Sequence, residues 1–169
     1  MGIHLRQLSP SDLDAALELR YEALADSPTA FMSTLEESRI SSPRQFPLTL
    51  DPANTDNTMF GLFDGEKLIG TALLSREQKK KRRHVAWIQG VYVKPAYRNK
   101  KLGKLLIQHL IDHARTIEGV DHLQLSVESE NLVARSVYES LGFVFWGREF
   151  GAAKENGREY HEDYMSLRI

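Results

Sequence analysis

The sequence predicts a mixed α/β fold built around one sheet, and three observations support this prediction. Two apolar stretches flank Asp64-Gly65, a dipeptide typical of a tight turn between antiparallel strands. The apolar stretches Val85–Val93 and Leu123–Val127 are separated by an amphipathic helical pattern, as in a parallel crossover. Two further stretches flank Glu155-Asn156-Gly157, which predicts a closing hairpin. Antiparallel hairpins and one parallel crossover therefore share the predicted sheet.

The chain begins with a predicted strand and helix. Residues 3–7 alternate apolar and polar side chains, which is the pattern of a half-buried strand. Ser9 is a favourable N-cap and Pro10 suits the first helical position. A helix is therefore predicted from this point to about Ala25, followed by a loop over residues 26–34.

The segment before the first hairpin contains prolines and few apolar residues. A short helix or turn is predicted there, with Pro43 near its start. Leu48 and Leu50 are expected on its inner face. A polar, turn-rich stretch then leads to the hairpin strands, 58–63 and 68–75.

Two helices are predicted in the second half of the chain. The first covers residues 102–117, and Asn131 caps the second, which continues to Leu141 and ends at Gly142. The final strands are predicted at 143–150 and 160–169. The buried face of the first helix is expected to carry Leu102, Leu105, Leu106, Leu110 and Ala114.

Length and composition limit the classes of protein to which the chain can belong. The 169 residues suit a single domain, 1–169, and 41% hydrophobic with 27% charged residues is typical of a soluble globular chain. The net charge of −1 gives no general attraction to nucleic acid or anionic lipid. Without cysteine the chain has no disulfide, thiolate metal ligand or cysteine-bound acyl intermediate. No secretory signal pattern is visible, so the cytoplasm is the expected location.

The residues after Val93 have the character of an anion site. Arg98, Lys100, Lys101 and Lys104 surround the start of a helix, where unpaired N–H groups and the helix dipole already favour negative charge. Gly103 lets a ligand approach the backbone closely. These features predict a phosphate or pyrophosphate site. The segment matches neither a Walker loop, which needs Ser or Thr where this chain has leucine, nor a Rossmann fingerprint.

The residues 93–103, VKPAYRNKKLG, resemble the V-x-P-x-x-R-x-x-G-x-G motif of the GNAT family of acyl-CoA N-acyltransferases. Residues 131–143, NLVARSVYESLGF, resemble the N-x-x-A-x-x-x-Y-x-x-x-G-F segment of the same family. The two motifs occur in the family's order, which makes the signal specific. One departure is Lys101, which stands where the family has its first loop glycine.

This resemblance implies the GNAT fold, a mixed and mostly antiparallel sheet of about seven strands flanked by about four helices. The fourth and fifth strands splay apart in that fold, and here they would be Val85–Val93 and Leu123–Val127. The pantetheine arm of acetyl-CoA would pair with backbone groups that the splay exposes. Val91 and Val93 would supply those contacts.

The resemblance also implies acetyl-CoA as co-substrate and direct transfer of its acetyl group to a primary amine. Asn131 would hydrogen-bond the pantetheine, besides or instead of capping its helix. Tyr138 would lie beside the thioester sulfur and donate a proton to the leaving thiolate, since a phenol with a pKa of about 10 stays protonated at neutral pH. A backbone N–H near Val91 would polarise the thioester carbonyl. The pyrophosphate would be bound by Arg98, Asn99, Lys100, Lys101, Leu102, Gly103 and Lys104.

The base that deprotonates the amine is not evident from the sequence. Gln89 could order a water, and Glu128 and His84 are the candidates that could accept a proton. The family builds its acceptor pocket from the last hairpin, which here carries the acidic and aromatic stretch 160–164, YHEDY, together with Glu36, Glu37 and the loop after the first helix. Carboxylates there would favour a cationic amine, although ordinary strand surface explains the same pattern.

Two further patterns are interpreted as structural. His109 and His113 have the spacing of zinc ligands, but no third ligand is evident and no metal is expected. The basic run 79–83 lies between predicted strands and is interpreted as a solvated hairpin tip. The expected partner is a small-molecule or peptide amine, with no nucleic acid and no membrane. The sequence leaves open whether the chain forms a homodimer. The rival functions are a non-catalytic acyl-CoA sensor and a nucleic-acid-binding module.

Overall fold

The computed structural model describes residues 2–169 and contains one seven-stranded sheet and four α-helices in that part of the chain. The strands are β1 (Ile3–Gln7), β2 (Asn57–Asp64), β3 (Lys67–Arg76), β4 (Val85–Val93), β5 (His122–Glu128), β6 (Val144–Glu155) and β7 (Arg158–Arg168). The helices are α1 (Leu13–Asp26), α2 (Leu35–Thr49), α3 (Leu102–Thr116) and α4 (Leu132–Ser140). The predicted mixed α/β class is confirmed.

The sheet has the strand order β1-β2-β3-β4-β5-β7-β6. The pair β4–β5 is parallel, and α3 forms the crossover between its strands, while the other neighbouring strands pair antiparallel. Asn156 and Gly157 have φ angles of 50° and 80°, as the tight turn of the predicted last hairpin requires.

The parallel pair separates part-way along its length. Residues Val85–Trp87 of β4 pair with His122–Gln124 of β5, and the register between these strands ends there. Beyond this point β4 stays paired with β3 as far as Val93, and β5 stays paired with β7 as far as Glu128, so the two halves of the sheet separate from each other. A bulge at Gly90, where φ is 59°, accompanies the divergence. The opening between the two strands beyond these residues is called the β4–β5 gap, and it confirms the predicted splay.

Two cores cover the two faces of the sheet. Apolar side chains of α3 and α4 pack with Leu123, Leu125 and Met165 on one face. Side chains of α1 pack with Met59 and Tyr92 on the other face, where α2 lies against α1. The β4–β5 gap lies in the sheet, between these two cores.

The helix α2 differs from the prediction. It begins at Leu35 rather than near Pro43, because Thr34 and Glu37 form a capping box in which the Glu37 N–H lies 3.1 Å from the Thr34 hydroxyl. Pro43 lies inside the helix on its exposed side. Leu50 is buried as predicted, but Leu48 is 69% exposed, so its predicted inward position is wrong.

One side chain of α3 was also misplaced by the prediction. Leu102, Leu106, Leu110 and Ala114 are buried, whereas Leu105 is 46% exposed. The buried stripe continues through isoleucines 107 and 111 instead, because it follows the 3.6-residue period around the helix. No helix within residues 2–169 combines the length and the apolar character that crossing a membrane requires.

Candidate functional site

A cavity of about 580 Å³ lies between the sheet and helices α1 and α2. Its strand wall includes Gln89 and Gly90 from β4, Ser126 from β5 and Glu162 from β7, so it reaches the border of the β4–β5 gap. Its helix wall includes Arg20 from α1 together with serines of α2. This space is called the helix–sheet cavity.

Glu162 is the only carboxylate among the described residues that line the helix–sheet cavity. The residue is 7% exposed, and burial is the main cause that raises the pKa of its carboxyl above the ordinary value. The nearby carboxylates of Glu128, Glu149 and Asp163 raise the pKa further, while the Ser126 hydroxyl offsets part of the rise. A carboxylate with a raised pKa is a stronger base than an ordinary one.

The neighbouring carboxylate, Asp163, has the opposite environment. Its side chain is fully buried on the α4 side of β7, where Arg148 Nε lies 2.6 Å and Arg135 Nη1 2.7 Å from its oxygens. Hydrogen bonding by Arg148 holds the pKa of Asp163 below its usual value. Asp163 therefore ties α4 and β6 to β7 and faces away from the cavity.

Tyr138 lies on α4 within the core that covers the other face of the sheet. It is 7% exposed, and its ring meets Phe143 edge to face, with 6.0 Å between the centroids. Burial, with a smaller contribution from the charge of Glu162, raises the pKa of Tyr138 to about 12. The phenol is consequently protonated at neutral pH, as its predicted role requires.

The loop before α3 has the backbone shape of a glycine-rich turn although it contains lysine. Asn99 and Lys101 have φ angles of 63° and 60°, both in the left-handed region. Lys101 thus adopts the conformation that a glycine would adopt more easily. A Cβ atom added at Gly103 meets nothing within 4 Å, so the space in front of the helix start is open.

The cationic side chains of this loop fall into two groups. Lys100, Lys101 and Lys104 are exposed. Arg98 instead pairs with Asp26 of α1 and donates from Nε to the Val93 carbonyl at 2.9 Å. The Arg98 side chain therefore joins the loop to α1 and β4. The backbone of Arg98 is what remains available to the predicted pyrophosphate site.

Asn131 is the N-cap of α4, because its side-chain oxygen accepts the Ala134 N–H at 3.2 Å. The side-chain NH₂ group is then the part that could donate to a pantetheine carbonyl. Val91 and Val93, the predicted backbone contacts, lie on β4 beyond the point where its pairing with β5 ends.

The structure separates the candidate bases. His84 lies at the closed end of the β4–β5 pair, where its carbonyl accepts the N–H groups of residues 121 and 122. Glu128 is buried opposite Glu162 in the β5–β7 register but does not line the helix–sheet cavity. Gln89 lines the cavity and cannot act as a carboxylate.

Sequence reasoning did not single out two charged residues of the cavity. Glu162 was included in the acidic stretch 160–164, but alternation along a strand does not show which carboxylate lacks a cation. Arg20 sits in the polar part of an ordinary helix pattern, and nothing local distinguishes it.

The structure places the two histidines on α3 against a ring of the sheet and the basic run in a connection between strands. His109 and His113 both stand edge-on to Phe60, with 4.9 Å between ring centroids in each case. No group of three or more potential metal ligands was found among residues 2–169. The basic run 79–83 forms the β3–β4 connection, where Arg82 and Arg83 pair with Glu77 and Asp56.

Comparison with known families decides which family this architecture represents. The sequence profile described as "Acetyltransferase (GNAT) family" matches residues 19–143, which extend from α1 through the end of α4. The chain belongs to the GNAT family. The family resemblance of residues 93–103 and 131–143 is thereby confirmed, and family members are acetyltransferases.

Two individual relatives are 35% and 31% identical to this chain over the aligned residues. Streptothricin acetyltransferase of Streptomyces lavendulae is 35% identical over 81 residues, covering 47% of this chain and 42% of that protein. Mycothiol acetyltransferase of Thermobispora bispora is 31% identical over 151 residues, covering 86% of this chain and 48% of that protein. The chain thus spans less than half the length of these curated relatives.

Solved structures share the fold at low sequence identity. One is yncA from Salmonella typhimurium, solved with its cofactor acetyl-CoA, at a TM-score of 0.79 and 21% identity. The match covers 99% of this chain and 94% of that chain. The predicted GNAT fold is therefore confirmed.

Proposed function

We propose that the protein is an N-acetyltransferase that moves the acetyl group of acetyl-CoA directly to a primary amine. The observation that carries this proposal is the β4–β5 gap, which opens on one side into a cavity with a single buried carboxylate. A neighbour of the same fold binds acetyl-CoA, which supports the same ligand here.

The proposed acetyl-CoA site has two parts. The first-turn N–H groups of α3 and the left-handed residues Asn99 and Lys101 bind the pyrophosphate, supported by the exposed lysines of the loop. Backbone groups of Val91 and Val93 hydrogen-bond the pantetheine amides, because β5 does not pair with them. Asn131 donates its side-chain NH₂ to the same arm.

The proposed reaction needs one base and one acid. Glu162 removes a proton from the amine, whose nitrogen then attacks the thioester carbonyl, while the N–H of Val91 stabilises the developing oxyanion. The C–S bond breaks as the tetrahedral intermediate collapses. The leaving sulfur accepts a proton from Tyr138, and Tyr138 regains a proton from the nitrogen, which carries one in excess after the attack. The proton held by Glu162 then passes to solvent.

A rival function is a CoA-binding sensor without catalysis. The buried carboxylate of Glu162 in the cavity beside the β4–β5 gap favours the enzyme, since a base at that position serves catalysis and not the binding of CoA. Release of CoA thiol from acetyl-CoA in the presence of a broad amine panel tests the proposal. Tight acetyl-CoA binding without thiol release for any amine supports the sensor.

A further inference from the structure

We propose that the amine acceptor carries an anionic group close to its amine, as a free amino acid does, and that Arg20 binds this group. The inference rests on the proposed function and names the class of acceptor for the same site. Three observations on the helix–sheet cavity carry it.

The first observation is a guanidinium that has no carboxylate partner. Arg20 is half-buried in the helix wall of the cavity, and within residues 2–169 no acidic group lies within salt-bridge distance of it. Its contacts are the Ser38 hydroxyl, 3.4 Å from Nε, and the face of the Phe31 ring, 4.8 Å from the guanidinium carbon. Partial burial lowers the pKa of Arg20. A buried cation of this kind is stabilised when an anion binds beside it.

The second observation is the chemistry around Arg20. The cavity surface that α2 contributes includes Ser38, Ser41, Ser42 and Gln45, which are neutral groups able to donate hydrogen bonds. No carboxylate of α1 or α2 lines the cavity in the described chain. An anion at Arg20 therefore meets hydrogen-bond donors in the helix wall, and the carboxylate that shares the cavity, Glu162, lies in the strand wall.

The third observation is the separation of the two charges. Glu162 lies in the strand wall with Gln89 and Gly90, at the border of the gap where the thioester is proposed to lie. Arg20 lies in the helix wall of the same cavity. A ligand with an amine at Glu162 and an anion at Arg20 neutralises both buried charges. This orientation also presents the nitrogen, and not the anion, to the acetyl group.

The test compares matched acceptors that differ in the anionic group alone. Leucine and phenylalanine are paired with their amides and with isoamylamine and phenethylamine, which lack the carboxylate. A phosphonate analogue of leucine separates carboxylate from other anions. The amino acids are expected to have kcat/KM values about 10- to 100-fold above those of the partners that lack the carboxylate. This factor is the usual contribution of a charge-assisted hydrogen bond.

The variant Arg20→Gln is expected to remove that preference. It should raise KM for the amino acids about 10- to 100-fold and leave the neutral amines nearly unchanged. Arg39→Gln is the matched control, because Arg39 also stacks on an aromatic ring at 4.8 Å but does not line the cavity. Arg20→Lys, which keeps the charge, should restore part of the preference. The melting temperature of each variant checks that the fold is intact.

Two results overturn the inference. One is equal turnover of amino acids and their neutral partners, or better turnover of a peptide than of a free amino acid, and the proposed function stands in that case. The other is an equal loss for both acceptor types in Arg20→Gln. If no amine is acetylated, the proposed function fails, and the inference is then tested by calorimetry in the presence of CoA. Leucine should bind more tightly than isoamylamine to the wild type, and Arg20→Gln should abolish this difference.

Discussion

Two adjacent carboxylates on β7 have opposite environments. Asp163 is held between Arg135 and Arg148 on the α4 side, and its pKa is lowered by those hydrogen bonds. Glu162 faces the helix–sheet cavity without a cation, and its pKa is raised by burial. Alternation along one strand thus places a paired and an unpaired charge one residue apart.

This contrast separates the stabilising charges of the molecule from the charges available for a ligand. The two ion pairs at Asp163 join three elements, and they use the charge of this carboxylate for stability. Glu162 and Arg20 both line the cavity, and both lack a partner of opposite charge within the described chain. Charges that are buried or half-buried without partners cost stability, so their presence together in one cavity points to a site that a ligand completes.

The largest effect is expected for Tyr138→Phe, which removes the hydroxyl and keeps the ring. The value of kcat should fall about 10²- to 10⁴-fold, the usual contribution of a positioned acid, while acetyl-CoA affinity changes little. Tyr92→Phe is the matched control, since Tyr92 is 5% exposed and burial likewise raises its pKa to about 12, but it lies in the other core. Equal rates for wild type and Tyr138→Phe, with chemistry shown to limit turnover, would rule Tyr138 out.

The second-largest effect is a loss of stability on substitution of Asp163, the carboxylate that is paired with two arginines. Asp163→Asn is expected to lower the free energy of unfolding by about 1.5–3 kcal/mol, the usual contribution of hydrogen bonds to a charged group, because two partly exposed guanidinium groups lose their anionic partner. The lowered pKa of Asp163 means that its contribution is present above the ordinary aspartate pKa and is lost as the pH falls toward the folded-state pKa. Denaturant unfolding of both proteins at neutral and acidic pH should show a smaller difference at acidic pH. A constant difference would contradict this explanation.

Glu162→Gln should lower the activity without lowering the stability, in contrast to Asp163→Asn. We expect kcat/KM to fall about 10²-fold for loss of the base, with no loss of melting temperature, because a buried unpaired charge is removed. The raised pKa of Glu162 makes the wild type lose stability as pH rises through the interval above the ordinary glutamate pKa. The variant's melting temperature relative to wild type should therefore increase from pH 4 to pH 7. A full rate in the variant would show that Glu162 is not the base.

The smallest effect is expected in the acetyl-CoA loop, away from both carboxylates. Gly103→Val should weaken acetyl-CoA binding about tenfold in calorimetry, since its side chain enters the space where the pyrophosphate is proposed to lie. Lys100→Ala should weaken it less, because exposed charges are screened by solvent. No clash with the protein is expected at position 103, so an unchanged affinity for Gly103→Val would contradict the proposed pyrophosphate site.

The sequence predicted those parts of the molecule that short segments determine. The β4 strand, its loop, α3 and the Asn131 cap follow from local periodicity, capping and two motifs, and the structure has them at the predicted positions. The start of α2 was missed because the prediction rested on Pro43 alone, whereas Thr34 and Glu37 form a capping box well before the proline.

The charges of the cavity could not be predicted in the same way. Whether Glu162 or Asp163 has a cation depends on Arg135 and Arg148, which come from α4 and β6 and meet β7 only in the folded sheet. Arg20 is distinguished by the absence of a partner, and that absence is a property of the whole packed structure.

The most direct test of the central claim uses acetyl-CoA labelled with ¹³C in the acetyl group and wild-type protein. The account predicts that the label appears on the nitrogen of the acceptor, in equal amount to the CoA released, and that the mass of the protein is unchanged by acetyl-CoA alone, because transfer is direct. A stable acetyl-protein that forms without an acceptor and then passes its label to the amine would contradict direct transfer. Tight binding of acetyl-CoA with no labelled product from any amine would contradict the enzyme itself.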